Sequence, residues 1–258
     1  MKILVCIKQV PQKDALLKLN PAGTWIEEDD DVSYEINEPD AYALEEALQQ
    51  KQKHGGEVVV ITAGPARAQS AIREALAKGA DRAIFLEGDE FVQLESANTA
   101  RALAAAIQGE SFDLIVTGLQ SDDFGAAQTG VLLAEILGLP HATIIIGIEK
   151  TDSGVHLKRE LEAGNYQHVD LPLPAVVTIQ SGINKLRYAT LMGIKQAKNK
   201  SVRNIEWAEV EPKLSRNLQR IERLYLPAKQ KQTEMLTGTP GEIAKKIVEH
   251  LRNHARVI

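Results

Sequence analysis

Short, nearly continuous apolar runs alternate with helical patterns over the first 150 residues of the chain. The runs occupy residues 3–7, 58–62, 83–86, 114–117 and 143–148, and most are rich in Val and Ile. Continuous runs of this kind predict strands buried on both faces, as in a parallel sheet. The segments between them carry the helical period. Ala41, Leu44, Ala47 and Leu48 share one face, as do Ala71, Ala75 and Leu76, and then Leu103, Ala106 and Ile107. Strands alternating with helices imply βαβ units, and so an α/β fold: a three-layer sandwich around a mostly parallel sheet.

The first connection is too long for this pattern. Roughly 30 residues separate the first strand from the helix near Asp40, where βα loops usually run about 2–6. Asn20-Pro21-Ala22-Gly23 marks a turn inside it, followed by Thr24-Trp25-Ile26. Beyond residue 150 the character changes. Gly154 with 155–161, then Gly164 with 166–171, predicts an antiparallel excursion. Pro172 and Pro174 then precede another buried strand, Ala175-Val176-Val177-Thr178-Ile179. Residues 195–238 show no core of their own and read as an arm that packs on something else. The last helix is marked by a capping box, Thr239-Pro240-Gly241-Glu242, and by a stripe of Ile243, Ile247, Val248 and Leu251. The division expected is an α/β nucleotide-binding domain over 1–194 and a C-terminal arm and helix over 195–258.

Composition narrows the function. Of 258 residues, 44% are hydrophobic and 25% charged, which excludes disorder as the main state. A single cysteine, Cys6, excludes a disulfide scaffold. A net charge of −5 and 4% aromatics argue against a nucleic-acid binder. No apolar stretch approaches the roughly 18 residues of a membrane span, so a cytoplasmic protein without membrane insertion is the expectation.

The segment that carries most chemistry runs Gly118-Leu119-Gln120-Ser121-Asp122-Asp123-Phe124-Gly125-Ala126-Ala127-Gln128-Thr129-Gly130. It leaves the end of a buried strand and enters a helix, the place where open α/β sheets bind ligands. Small residues there let backbone N–H groups approach a phosphate at a helix N-terminus, but an ordinary βα loop would read the same way. The sequence is neither a Walker A loop nor GxGxxG. Thr62-Ala63-Gly64-Pro65 and Asn37-Glu38-Pro39-Asp40 are two more element ends that would converge on the same edge as a nucleotide cleft. The six His residues show no ligand spacing with Cys6, so no metal site is expected. No catalytic arrangement emerges either, which favours a binding or carrier role.

Taken together, these residues resemble the beta subunit of electron transfer flavoproteins. The likeness is carried by Lys2-Ile3-Leu4-Val5-Cys6-Ile7-Lys8-Gln9-Val10, by Asn37-Glu38-Pro39-Asp40, by Ala77-Lys78-Gly79-Ala80-Asp81-Arg82-Ala83 and by Gly118-Leu119-Gln120-Ser121 with Gln128-Thr129-Gly130. It is strongest at Pro174-Ala175-Val176-Val177-Thr178-Ile179-Gln180 and Asn184-Lys185-Leu186-Arg187-Tyr188-Ala189-Thr190-Leu191. Gly193-Ile194-Lys195-Gln196-Ala197 looks most like the bacterial type that serves a trimethylamine dehydrogenase.

The resemblance implies an adenine-nucleotide-hydrolase-like fold and a heterodimer with an alpha subunit that holds the redox FAD and that the C-terminal arm and helix, 195–258, wrap. It implies AMP in this subunit, and electrons accepted from dehydrogenases, such as acyl-CoA or amine dehydrogenases, and passed to a downstream quinone oxidoreductase. The AMP site it implies comprises Cys6, Asn37, Glu38, Pro39, Asp40, Ala63 and the loop Gly118, Leu119, Gln120, Ser121, Asp122, Asp123, Phe124, Gly125, Ala126, Ala127, Gln128 and Thr129. Leu191, with Arg187 and Tyr188, would dock dehydrogenases, and Glu160 would orient the mobile flavin domain of the alpha subunit. Lys13 stands where some relatives carry an aromatic near the flavin, and Met192-Gly193 departs from the mitochondrial pair after the anchor leucine. Two alternatives share the fold: a bifurcating-type beta subunit with a second redox FAD in the cleft, and a stand-alone ATP-binding stress-type protein.

Overall fold

The structure, a computed structural model, describes residues 1–28, 31–227 and 233–257. Residues 228–232 and 258, part of the expected arm, lie outside the described residues. In chain order the elements are β1 (Lys2–Cys6), β2 (Gln9–Pro11), β3 (Tyr34–Ile36), α1 (Glu38–His54), β4 (Glu57–Gly64), α2 (Gln69–Lys78), β5 (Arg82–Glu87), α3 (Ser96–Ala106) and β6 (Leu114–Gly118). There follow α4 (Thr129–Leu137), β7 (His141–Lys150), β8 (Gly154–Glu160), β9 (Tyr166–Pro172), β10 (Ala175–Ile179), α5 (Leu191–Ala197), β11 (Val202–Glu206), α6 (Trp207–Val210) and α7 (Pro240–His250).

Nine strands form one sheet in the order β11-β5-β4-β1-β6-β10-β7-β8-β9. Pairing is parallel from β11 through β7 and antiparallel along β7, β8 and β9. The α/β sandwich expected from the alternating runs is therefore what forms. In β1, Ile3 and Val5 face a core built with α1 and α2. Leu4 and Cys6 face the opposite core, built with α3 and α4. Both faces are dry, which explains why the strand sequences read as unbroken apolar runs. Burying each such side chain stabilises the sheet by about 1.5–3 kcal/mol.

The chain runs from β1 outward through β4 and β5, then returns to the other side of β1 with β6. The strand order thus reverses between β1 and β6, and a crevice opens beyond their carboxyl ends. Two features set the width of that crevice. Helix α1 begins with Glu38 and Pro39 and carries Lys51, Lys53 and His54 in its last turn, matching the helix dipole at both ends. Its start lies so close to β6 that a Cβ on Gly118 would overlap Asp40 Oδ1 and stand 2.7 Å from Pro39 Cβ. On the other face a Cβ on Gly130 would come within 2.6 Å of Thr117 Oγ1 and 2.7 Å of Thr178 Cγ2, so α4 also enters hard against the strand ends.

The segment after residue 194, expected as an arm that packs on something else, first returns to the sheet. β11 pairs in parallel with β5 and completes the sheet edge. α5 lies on α2 so closely that a Cβ on Gly193 would collide with the Ala77 carbonyl. Trp207 packs edge-on against Phe91, ring centroids 5.0 Å apart, within this chain's own core. The short strand Val-Arg-Asn-Ile-Glu escaped detection because an edge strand buries little, and its polar positions face outward. Beyond Leu214 the chain is strapped rather than packed. Ser215 N donates to Asn98 Oδ1, Leu218 N and Gln219 N donate to one oxygen of Glu95, and Leu224 N reaches Gly23 O. Leu218, Tyr225, Leu226, Met235, Ile247 and Val248 stay exposed.

Candidate functional site

The crevice is an open cleft with an empty volume, mouth included, of about 860 Å³. Two side chains from the start of α1 build its floor. Asn37 occupies the N-cap position but does not cap. Its Nδ2 donates to Gln120 O at 2.8 Å and its Oδ1 accepts from Asp122 N at 3.0 Å, so it holds the β6–α4 loop from both sides. Asp40 accepts from Lys8 N at 2.8 Å and from Gly118 N at 2.9 Å, joining the ends of β1 and β6. Burial pushes its carboxyl up to about 7, against the opposing pull of those N–H donors. Burial, with Asp40 adding to it, also raises the Cys6 thiol, so Cys6 is an inert wall residue.

The loop itself supplies the donors. Gly125 and Ala127 adopt left-handed conformations, φ 59° and 53°, and Gln128 returns to the right-handed region. Left-handed and right-handed residues in succession turn neighbouring N–H groups into one concavity, which suits an anion. A non-glycine residue held at positive φ is strained, and such strain concentrates at functional loops. Among the described residues, the N–H groups of Ala126, Ala127 and Gln128 donate to no other protein group. They lie at the entry to α4, whose dipole adds to the attraction.

Most of the residues expected at the nucleotide site come together here. Cys6, Asn37, Asp40, Ala63, Gly118, Leu119, Gln120, Ser121, Phe124, Ala126, Ala127, Gln128 and Thr129 line the cleft. Glu38, Pro39, Asp122, Asp123 and Gly125 do not. Glu38 pairs with Lys13 at the surface, Pro39 packs under Gly118, and Asp123 pairs with Lys8. The sequence reading missed the wall formed by Phe91, Leu94, Ser96, Thr99 and Leu103. These residues follow the end of β5, so the rule used for the other strand ends could have found them.

The remaining candidates lie apart from the cleft. Leu191 is 88% exposed and Tyr188 93%, so neither belongs to this chain's core. Leu191 opens α5, whose N-cap Thr190 accepts from Gly193 N at 3.0 Å. Arg187 is turned inward: its Nε donates to Glu45 Oε2 at 2.6 Å and its Nη2 to Glu45 Oε1 at 2.9 Å. Burial pushes the Glu45 carboxyl up, but hydrogen bonds from Arg187 and Gln49 outweigh that and hold it below the usual carboxylate range. Glu160 ends β8 and accepts from Gln180 Nε2 at 3.3 Å. Among the described residues no group of three or more His, Cys, Asp or Glu side chains could hold a metal ion. No helix there is long and apolar enough to cross a membrane.

Residues 24–210 match the family model of the electron transfer flavoprotein domain. The chain belongs to the electron transfer flavoprotein family. It is 37% identical to the electron transfer flavoprotein subunit beta of Methylophilus methylotrophus, over 96% of this chain and 97% of that one. With the subunit beta of Bacillus subtilis it shares 35% identity over 90% of its length and 91% of the relative's. A third relative, subunit CarD of the caffeyl-CoA reductase-Etf complex of Acetobacterium woodii, is 34% identical over 98% of each chain. The beta-subunit role follows: an electron-transfer component rather than a catalyst, within a flavin-associated system that includes an alpha subunit and redox enzymes.

Proposed function

We propose that this beta subunit binds AMP in the cleft between β1 and β6 as a structural ligand, and that the alpha subunit carries the redox FAD. The observation that carries the reading is the run of N–H groups at Ala126, Ala127 and Gln128, without protein acceptors among the described residues, on an exposed, strained loop at the start of α4. Those donors suit a phosphate, and Gln128 and Thr129 add side-chain donors beside them. The wall of Phe91, Leu94 and Leu103 suits an apolar, planar base. Charge-assisted hydrogen bonds to such a phosphate are worth about 1.5–3 kcal/mol each.

Leu191 and Tyr188 are the docking surface for dehydrogenases of the acyl-CoA or amine class, with Arg187 as the pin that fixes their loop to α1. Glu160 faces the flavin domain of the alpha subunit. The exposed apolar residues of the strap and of α7 cover the alpha subunit, making residues after about 214 the effective arm. Electrons then leave toward a downstream quinone oxidoreductase, and the complex works in the cytoplasm. The bifurcating alternative, a second FAD in this cleft, keeps the same fold and differs only in the ligand.

Reassembly tests the structural role of AMP. The purified two-subunit complex is unfolded in denaturant, freed of small molecules, and refolded with FAD alone or with FAD and AMP. Heterodimer recovery should rise severalfold with AMP. Equal recovery in both would remove AMP as a structural ligand.

A further inference from the structure

A second recess of about 400 Å³, mouth included, adjoins the nucleotide cleft. Lys8, Ala63 and Phe91 line both spaces, so the two share a wall. That wall is completed by four side chains in one chain of contacts. The Asp123 carboxylate accepts from Lys8 Nζ at 2.6 and 2.8 Å. The Lys8 ammonium lies 4.3 Å from the centroid of the Phe124 ring. Phe124 in turn packs on Trp25, centroids 5.4 Å apart with the planes tilted by 35°. Phe124 lines the first recess, while Trp25 and Asp123 line the second.

We infer that Asp123, Lys8, Phe124 and Trp25 form a partition that limits the ligand of the cleft to a mononucleotide. The inference rests on the reading of the cleft as an adenine-nucleotide site. A dinucleotide seated by its adenosine phosphate must run its second half into the adjoining recess. To do so it must break the Lys8–Asp123 pair and part the two rings. It would also bring a second phosphate toward the Asp123 carboxylate, whose side chain is only 12% exposed, so water screens that repulsion poorly. A mononucleotide meets none of these obstacles. Behind the partition the second recess is lined by Tyr34, Trp25 and Arg67; the Arg67 guanidinium lies 3.8 Å from the Tyr34 ring centroid and is paired with Glu28. Aromatic faces there suit a planar ring.

The test uses the purified two-subunit complex and two probes, AMP and ADP-ribose, the second being a dinucleotide-length ligand that cannot enter a flavin site by its isoalloxazine. Equilibrium binding is measured for the wild type, for the double variant Trp25→Ala with Asp123→Ala, and for Asp123→Asn alone. The wild type should prefer AMP over ADP-ribose by about a hundredfold, and the double variant should narrow that preference by about tenfold or more, through tighter ADP-ribose binding. Asp123→Asn keeps the shape and removes the charge, so it should narrow the preference even if the double variant fails to assemble. An unchanged preference in Asp123→Asn, with AMP bound normally, overturns the partition while leaving the AMP reading in place. A wild-type complex that binds neither probe overturns both, and one that binds ADP-ribose as well as AMP overturns the partition alone.

Discussion

A methyl group added at Gly118 would meet the start of α1 with no room to yield. It would overlap Asp40 Oδ1 and stand 2.7 Å from Pro39 Cβ and 2.8 Å from Asp40 N, two of them fixed parts of a helix entry. Gly118→Ala must therefore push α1 away from β6. Overpacking of this kind costs about 1–3 kcal/mol. The same shift stretches the 2.9 Å bond from Gly118 N to the buried Asp40 carboxyl, adding about 1–2 kcal/mol. A loss of about 2–5 kcal/mol lowers the melting temperature of a domain this size by on the order of 10 °C. Asn37 moves with the helix, so its grip on Gln120 and Asp122 slackens and the cleft should retain less nucleotide. Gly138→Ala is the control. Its φ of 64° is left-handed, but no atom lies within 4 Å of the added Cβ and the site is remote from the cleft. That variant should lose only about 1 kcal/mol and keep its nucleotide. Scanning calorimetry and nucleotide content measured on the same heterodimer preparations decide the matter. If Gly118→Ala melts like Gly138→Ala and keeps full nucleotide content, the close approach of α1 to β6 does not shape the cleft.

Leu191→Ala should leave melting and nucleotide content unchanged, because the side chain is 88% exposed, while flavin reduction by the partner dehydrogenase slows about tenfold; a lower melting temperature with normal reduction would place Leu191 in the core instead. Arg187→Ala strands the Glu45 carboxylate, which is only 6% exposed, and should cost about 2–4 kcal/mol, with Arg187→Lys restoring part of it in denaturant titration. Asp40 has a folded-state pKa raised from 3.8 to about 7, so it favours the folded state most below its unfolded value and that contribution is lost as pH rises through about 7. Asp40→Asn should accordingly flatten the decline in melting temperature between about pH 4 and 7, and an unaltered pH profile would show that another group titrates there.

The fold was legible because both faces of the sheet are buried: runs such as 58–62 and 114–117 have no exposed side to blur the signal. Turn and cap chemistry marked the hairpin of β8 and β9 and the capping box at Thr239. The edge strand β11 was not legible, since Arg203, Asn204 and Glu206 carry its outward positions and only pairing with β5 makes it a strand. The packing of Trp207 was not legible either, because its ring partner, Phe91, lies far away in sequence. Within the site, loop residues could be found from their place at strand ends. The role of Asn37 could not, because an Asn before a helix reads as a cap, and only the tertiary approach of Gln120 and Asp122 diverts it. The Arg187–Glu45 pair was not legible for the same reason: nothing local discloses that Glu45 on α1 meets it.

The claim that this subunit holds a structural mononucleotide is tested most directly by counting what the intact complex releases. The purified heterodimer is denatured, and the small molecules set free are separated and quantified against protein. The account predicts one AMP and one FAD per heterodimer. Two FAD and no AMP, or a single FAD with no adenine mononucleotide, would contradict it.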